Sequence, residues 1–170
     1  MKLFLGIDPG TTNTGWCVLN SDRSFYIGGT YVSTEEEPLY EVSKKIIESI
    51  FHSIPIDSLE LFCAIERYVP YSGKFTKHSE SVCELIGCIS YGLRERGVHI
   101  TKARSIDWKP AICKTLFLEE GFSNKETSFN KKYSIAVATH LSGKKYKVSH
   151  EADACGLAYY AYLLQRCQKC

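Results

Sequence analysis

Three short apolar runs open the chain, each closed by a polar break: KLFLGI before Asp-Pro-Gly, GWCVLN before SDR, and then SFYIGGTYVS. Runs this short and closely spaced, rich in aromatic and β-branched residues, predict an antiparallel meander of three strands. The period then changes, because Leu39, Val42, Ile46, Ile47 and Ile50 recur at helical spacing behind Pro38, which suits a first helical turn. LELFCAIE reads as a fourth strand ending on Glu66, with Pro70 and Gly73 marking a loop after it. Val82, Leu85, Ile86, Ile89 and Leu93 predict a second amphipathic helix over Ser79 to Arg96, closed by Gly97. VHITKA is a fifth strand; Pro110 starts a helix to Leu118, which Gly121 and the polar SNKETS end. A further helix carries Tyr133, Val137 and Leu141, Gly143 to Ser149 form a basic loop, and a last helix runs from about Glu151 to Arg166.

The resulting order, βββαβαβααα, predicts an α/β protein with a mixed five-stranded sheet. The antiparallel meander comes first, crossovers add parallel strands, and helices cover the faces. This is the order of the RNase H-like fold. A chain of 170 residues supports one such domain over its whole length, 1–170. No apolar run approaches the roughly 20 residues of a membrane span, and the N-terminus lacks the layout of a signal peptide. An intracellular protein with no membrane partner is expected. Most of the eight cysteines are scattered through apolar segments and should be reduced thiols. Cys167 and Cys170 form a C-x-x-C without the second pair of ligands that a zinc site needs.

Net charge is only +2, but residues 102–147 carry ten Lys/Arg against four Asp/Glu, whereas 1–101 carry nine against thirteen. That local excess suits either a solvated helical face or a surface for a polyanion.

The stretch GIDPGTTNTG has two readings. A Gly/Thr-rich turn can bring backbone N–H groups to a nucleotide, as in actin-like and sugar-kinase ATPases, although those enzymes close two lobes over their ligand. Alternatively Asp8 is the functional residue and the glycine and threonines build its turn. Glu66 repeats the pattern of a carboxylate ending an otherwise buried strand, which is costly unless the charge is paired or holds a cation. His150 and Asp153, three residues apart at the start of the last helix, share one helical face. Asp8, Glu66, Asp153 and His150 together form an oxygen-rich donor set of the kind Mg²⁺ or Mn²⁺ accepts. Singly, each has a plainer explanation: a turn former, an ion pair of Glu66 with Arg67, or a carboxylate favoured by a helix N-terminus.

LGIDPGTTNTGWCVL, FCAIERYVPYSG and HEADACGLAYYA resemble, in order and separation, the three acidic motifs of the RuvC-type Holliday junction resolvases. The resemblance spans essentially the whole chain. It implies a homodimeric, Mg²⁺-dependent endonuclease that nicks two strands symmetrically at a four-way DNA junction. Asp8, Glu66 and Asp153 take family carboxylate positions, and His150 falls where many members carry Asp and some His. Lys109 and Lys132 fall near family lysines that act on the scissile phosphate. Where the family presents an aromatic wedge after the glutamate, this chain has RYVPYSGKF. Tyr68, Tyr71 and Phe75 are candidates to stack on unpaired bases or to pack the loop, and Arg67, Lys74 and Lys77 suit a nearby phosphate. Arg104, Lys109, Lys131 and Lys132 complete the expected DNA surface. The implied chemistry is two-metal phosphodiester hydrolysis with no small-molecule cofactor, Asp8 bridging the ions. RNase H-like nucleases of ribosomal RNA precursors, the ATP-binding class and an inactive junction-binding module are the alternatives.

Overall fold

A computed structural model of the chain describes residues 1–34, 36–54, 60–69, 76–121, 131–146 and 148–167. The expected marks Pro70, Gly73 and SNKETS, the candidates Tyr71, Lys74 and Phe75, and also Lys147 and Cys170 lie outside them.

Strands β1 (Lys2–Asp8), β2 (Asn13–Asn20) and β3 (Phe25–Val32) form the expected antiparallel meander. β4 (Glu60–Glu66) and β5 (His99–Ala103) then add in parallel beside β1, so the sheet order is β3-β2-β1-β4-β5. Between them run α1 (Leu39–Ser53) and α2 (Lys77–Arg94); α3 (Ser105–Glu120), α4 (Lys131–Ser142) and α5 (Ser149–Cys167) follow.

Alternation along the strands sorts the helices onto two faces. Leu3, Leu5 and Ile7 of β1, with Leu61, Cys63 and Ile65 of β4, meet the apolar stripes of α1 and α2. Phe4 and Ala64, with Cys17 and Leu19 of β2, face the second core built from α3, α4 and α5. By the same period of two, Asp8 and Glu66 belong to the α5 face. The parallel register aligns Ile7 with Ile65, which puts the two carboxylates side by side at the strand ends.

Several boundaries differ from expectation by a few residues, and two helix starts have a clear physical cause. α2 starts at Lys77, two residues early, because the Thr76 side chain accepts a hydrogen bond from the Ser79 N–H and caps it. α3 starts at Ser105 rather than Pro110. Arg104 binds both Asp107 oxygens, at 2.7 and 2.9 Å, and fully buried Trp108 anchors the first turn. Pro110 therefore sits inside the helix, and the bond it cannot make would have gone to the carbonyl of Ile106, an exposed residue that water can reach. Gly97 takes the left-handed conformation expected of a helix terminator, with φ 76°, and Val98 N–H bonds back to Leu93.

Candidate active site

The site begins with two glycines. A Cβ on Gly6 would lie 1.9 Å from the Ala154 carbonyl oxygen, and one on Gly15 2.1 Å from that of His150. The backbone of α5 therefore rests directly on β1 and β2, and Gly15 pairs with Asp8 across the strands. Bare backbone at these points brings the first turn of α5 down beside Asp8. The turn between the strands is closed locally, since the Thr14 hydroxyl donates to the Gly10 carbonyl at 3.0 Å and the Ser33 hydroxyl to that of Thr11 at 2.5 Å. Helix docking and turn closure account for GIDPGTTNTG without a nucleotide.

His150 Nδ1 lies 2.7 Å from Asp8 Oδ2, and the Asp8 side chain is only 14% exposed. Burial, followed by the charge of Asp8, pushes the Glu66 carboxyl up to about 7. Asp153 is also raised, first by burial and then by Asp8, and is held back by a hydrogen bond from Ser134 and by the positive charge of Lys109. Lys109 acts in the same sense on Glu66. Four residues from three distant stretches thus share one electrostatic neighbourhood. A cleft of about 210 Å³ opens beside it, bordered by Asp8, Glu66, Arg67, Tyr68, Val82 and Ser105.

The donor set fits a hard divalent cation, because burial, and after it the mutual repulsion of the carboxylates, resists ionisation of Glu66 and Asp153, and such an ion offsets both. The side chains are nonetheless turned toward partners of their own, Asp8 to His150 and Asp153 to Ser134. Among the described residues no group of three His, Cys, Asp or Glu is drawn together as a ready-made cage.

The other candidates are dispersed. The charge of Lys109 acts on Glu66 and Asp153 while its ammonium lies 5.1 Å from the Trp108 ring centre, whereas Lys132 lies exposed on the first turn of α4, which Lys131 opens. Arg67 is exposed. Tyr68 is half-buried, packs on the α1/α2 core, and accepts a hydrogen bond from the Ser79 hydroxyl at 3.2 Å. Lys77 is exposed at the start of α2, and Arg104 is bound to Asp107. Lys144, part of the expected basic loop, is used internally: it pairs with buried Glu151 and covers the rings of Phe25 and Tyr146 at 4.8 and 5.3 Å. Sequence reasoning missed Ser134, a buried residue whose hydroxyl donates to Asp153 Oδ1 at 2.5 Å. Its one local signal is a polar residue beside the apolar positions of α4.

No family model matches the chain, and no curated protein matches it in sequence. Solved structures do match. Thermus thermophilus RuvC in complex with a Holliday junction substrate aligns with a TM-score of 0.73 at 19% identity, over 98% of this chain and 96% of that one. Fowlpox virus resolvase with its substrate Holliday junction DNA gives 0.53 at 11% identity, over 98% of both chains. The yeast mitochondrial Holliday junction resolvase Ydc2 gives 0.51 at 14%, over 96% of this chain and 81% of that one. The chain therefore has an RNase H-like α/β fold. More narrowly, it is the variant of that fold found in RuvC and the other two resolvases, as the acidic motifs led one to expect.

Proposed function

We propose that this chain is a structure-specific DNA endonuclease that resolves four-way junctions by paired symmetric nicks, acting as a two-fold homodimer with Mg²⁺ or Mn²⁺ at the Asp8 cluster. One observation carries the reading: carboxylates and an imidazole from three separate stretches meet at the C-terminal ends of the adjacent central strands β1 and β4, with His150 Nδ1 2.7 Å from Asp8 Oδ2 and burial raising both Glu66 and Asp153. The shared fold supports it, since two of the similar structures are complexes with Holliday junctions.

Asp8, Glu66, Asp153 and His150 would hold the cations. When bound, a pair of divalent cations supplies a water of lowered pKa and charge neutralisation at the leaving 3′ oxygen. The remaining work falls to the chain itself. The Lys109 ammonium, whose charge already acts on Glu66 and Asp153, offsets negative charge on the phosphoryl oxygens. Arg67 and Tyr68 border the cleft and would meet the backbone and an unpaired base. Lys77, Arg104, Lys131 and Lys132, with Tyr71, Lys74 and Phe75, would extend that contact and make binding fall steeply with salt. Nicks in two strands of one junction require two sites facing it, hence the dimer, for which the outer face of α2 is the candidate interface.

The test is incubation with a four-way junction, a linear duplex and a structured RNA in Mg²⁺ or Mn²⁺. Paired nicks confined to the junction, lost in Asp8→Asn with junction binding retained, are expected. Cleavage of the RNA alone, or ATP turnover without cleavage, would overturn the reading.

A further inference from the structure

We propose that Ser134 is a positioning residue for the cation-binding carboxylate of Asp153, an inference that rests on the reading of the cluster given above. Ser134 lies on α4 and Asp153 on α5, so this contact joins the two helices at the site. The serine is 3% exposed, and its hydroxyl donates to Asp153 Oδ1 at 2.5 Å. Among the described residues this is the hydrogen bond that the Asp153 carboxylate receives. A carboxylate with one oxygen tied to a donor has a fixed plane and offers its other oxygen, so Asp153 is prepared to bind through Oδ2.

The alternative is that Ser134 merely satisfies a polar group between packed helices. Ser90 and Ser142 have that simpler role and bond to a carbonyl of their own helix, that of Ile86 at 2.6 Å and that of Ala138 at 2.7 Å, while buried Ser79 bonds outside its helix to the Tyr68 hydroxyl at 3.2 Å, which is no member of the cluster. Ser134 instead reaches across to a residue nineteen positions away, and that residue is a member of the cluster. The Ser134 hydroxyl sits in the first turn of α4, which begins at Lys131. Its use on a partly buried carboxylate is the arrangement by which outer partners orient the ligands of a metal.

The test titrates Mn²⁺, followed by the loss of its free-ion electron paramagnetic resonance signal, into wild-type protein and the Ser134→Ala and Ser134→Thr variants, with thermal melts alongside. Ser134→Ala should melt close to wild type and bind Mn²⁺ roughly tenfold more weakly, and Ser134→Thr, which keeps the hydroxyl, should recover most of that loss. Wild-type affinity in Ser134→Ala would overturn the proposal and leave the cluster standing. So would equal weakening in both variants with unchanged melts. Failure of the wild-type protein to take up Mn²⁺ would overturn the cluster reading, and this proposal with it. Should Ser134→Ala fail to fold, Ser134→Cys, close in volume but a weak donor, must show the same tenfold loss.

Discussion

The two faces of the sheet are built on opposite principles. On one, α1 and α2 stand off from the strands on large aliphatic side chains: Ile46, Ile50, Leu85, Ile89 and Leu93 are all fully buried there. On the other, α5 lies against the strands through Ala152, Ala154, Ala158 and bare glycine, so backbone meets backbone at Gly6 and Gly15. A layer of aliphatic side chains can deform when a methyl is lost. Contact between main chains has no such reserve, and this is the contact that sets the approach of His150 and Asp153 to Asp8. The precise side positions the acidic cluster, and the deformable side has room to relax.

The contrast can be broken most severely at Gly6. Gly6→Ala puts a methyl within 1.9 Å of a carbonyl oxygen that has no side chain to rotate away. It should cost roughly 5 kcal/mol or more and leave no cooperative urea transition. A variant that melts like wild type would mean that α5 does not lie where described. On the opposite face Leu85→Ala removes a fully buried side chain. There the expected loss is about 3 kcal/mol, read as a lower urea midpoint at unchanged slope, with junction cleavage at low temperature preserved. Loss of cleavage in a Leu85→Ala protein that remains folded would deny the division of labour.

The same difference explains what could be read from the sequence. α1 and α2 bury a clean stripe, and β1 and β4 are short unbroken apolar runs each ended by a carboxylate, so their existence, their order and the strand-end positions of Asp8 and Glu66 followed from the pattern, whereas the shared face of the two carboxylates came only with the parallel register. α5 was legible as a helix, but its small residues suit contact on several sides, so nothing in HEADACGLAYYA announces that Gly6 and Gly15 receive it. Ser134 and Lys144 were illegible for a related reason. Each acts across a tertiary contact, one on Asp153 and the other on Glu151, Phe25 and Tyr146, and no local pattern encodes such a partner. Pro110 misled because proline usually opens a helix, while here the Arg104–Asp107 pair and buried Trp108 had already begun one.

A gentler probe uses pH. Glu66 ionises near 4.5 in an unfolded chain and at about 7 in the fold, so the folded state holds its proton more tightly. Its contribution to stability is whole below pH 4.5 and is lost as pH rises through about 7. The raised Asp153 acts in the same sense. Metal-free protein should therefore lose roughly 2–3 kcal/mol between pH 4.5 and 7.5, measured by urea denaturation in chelator, and Glu66→Gln should flatten most of that slope. A wild-type protein equally stable at both ends would show that the carboxylates do not share a low-dielectric neighbourhood.

The mildest test uses a glycine on the other face. Gly87 sits in the middle of α2 on the exposed side, with nothing within 4 Å of a Cβ built on it. It pays the backbone entropy of glycine and receives no close packing in return, the reverse of Gly6. Gly87→Ala should raise stability by roughly 0.5–1 kcal/mol, seen as a higher urea midpoint at micromolar protein. Its neighbours one turn away on that side, exposed Cys83 and Tyr91, belong to the face offered as the dimer interface. If a second copy seats its helix there, the added methyl meets the partner, and the gain should shrink or reverse as protein concentration rises. A gain that is constant from dilute to concentrated solution would remove α2 from the interface, and a destabilisation in dilute monomer would mean that the space beside Gly87 is not open.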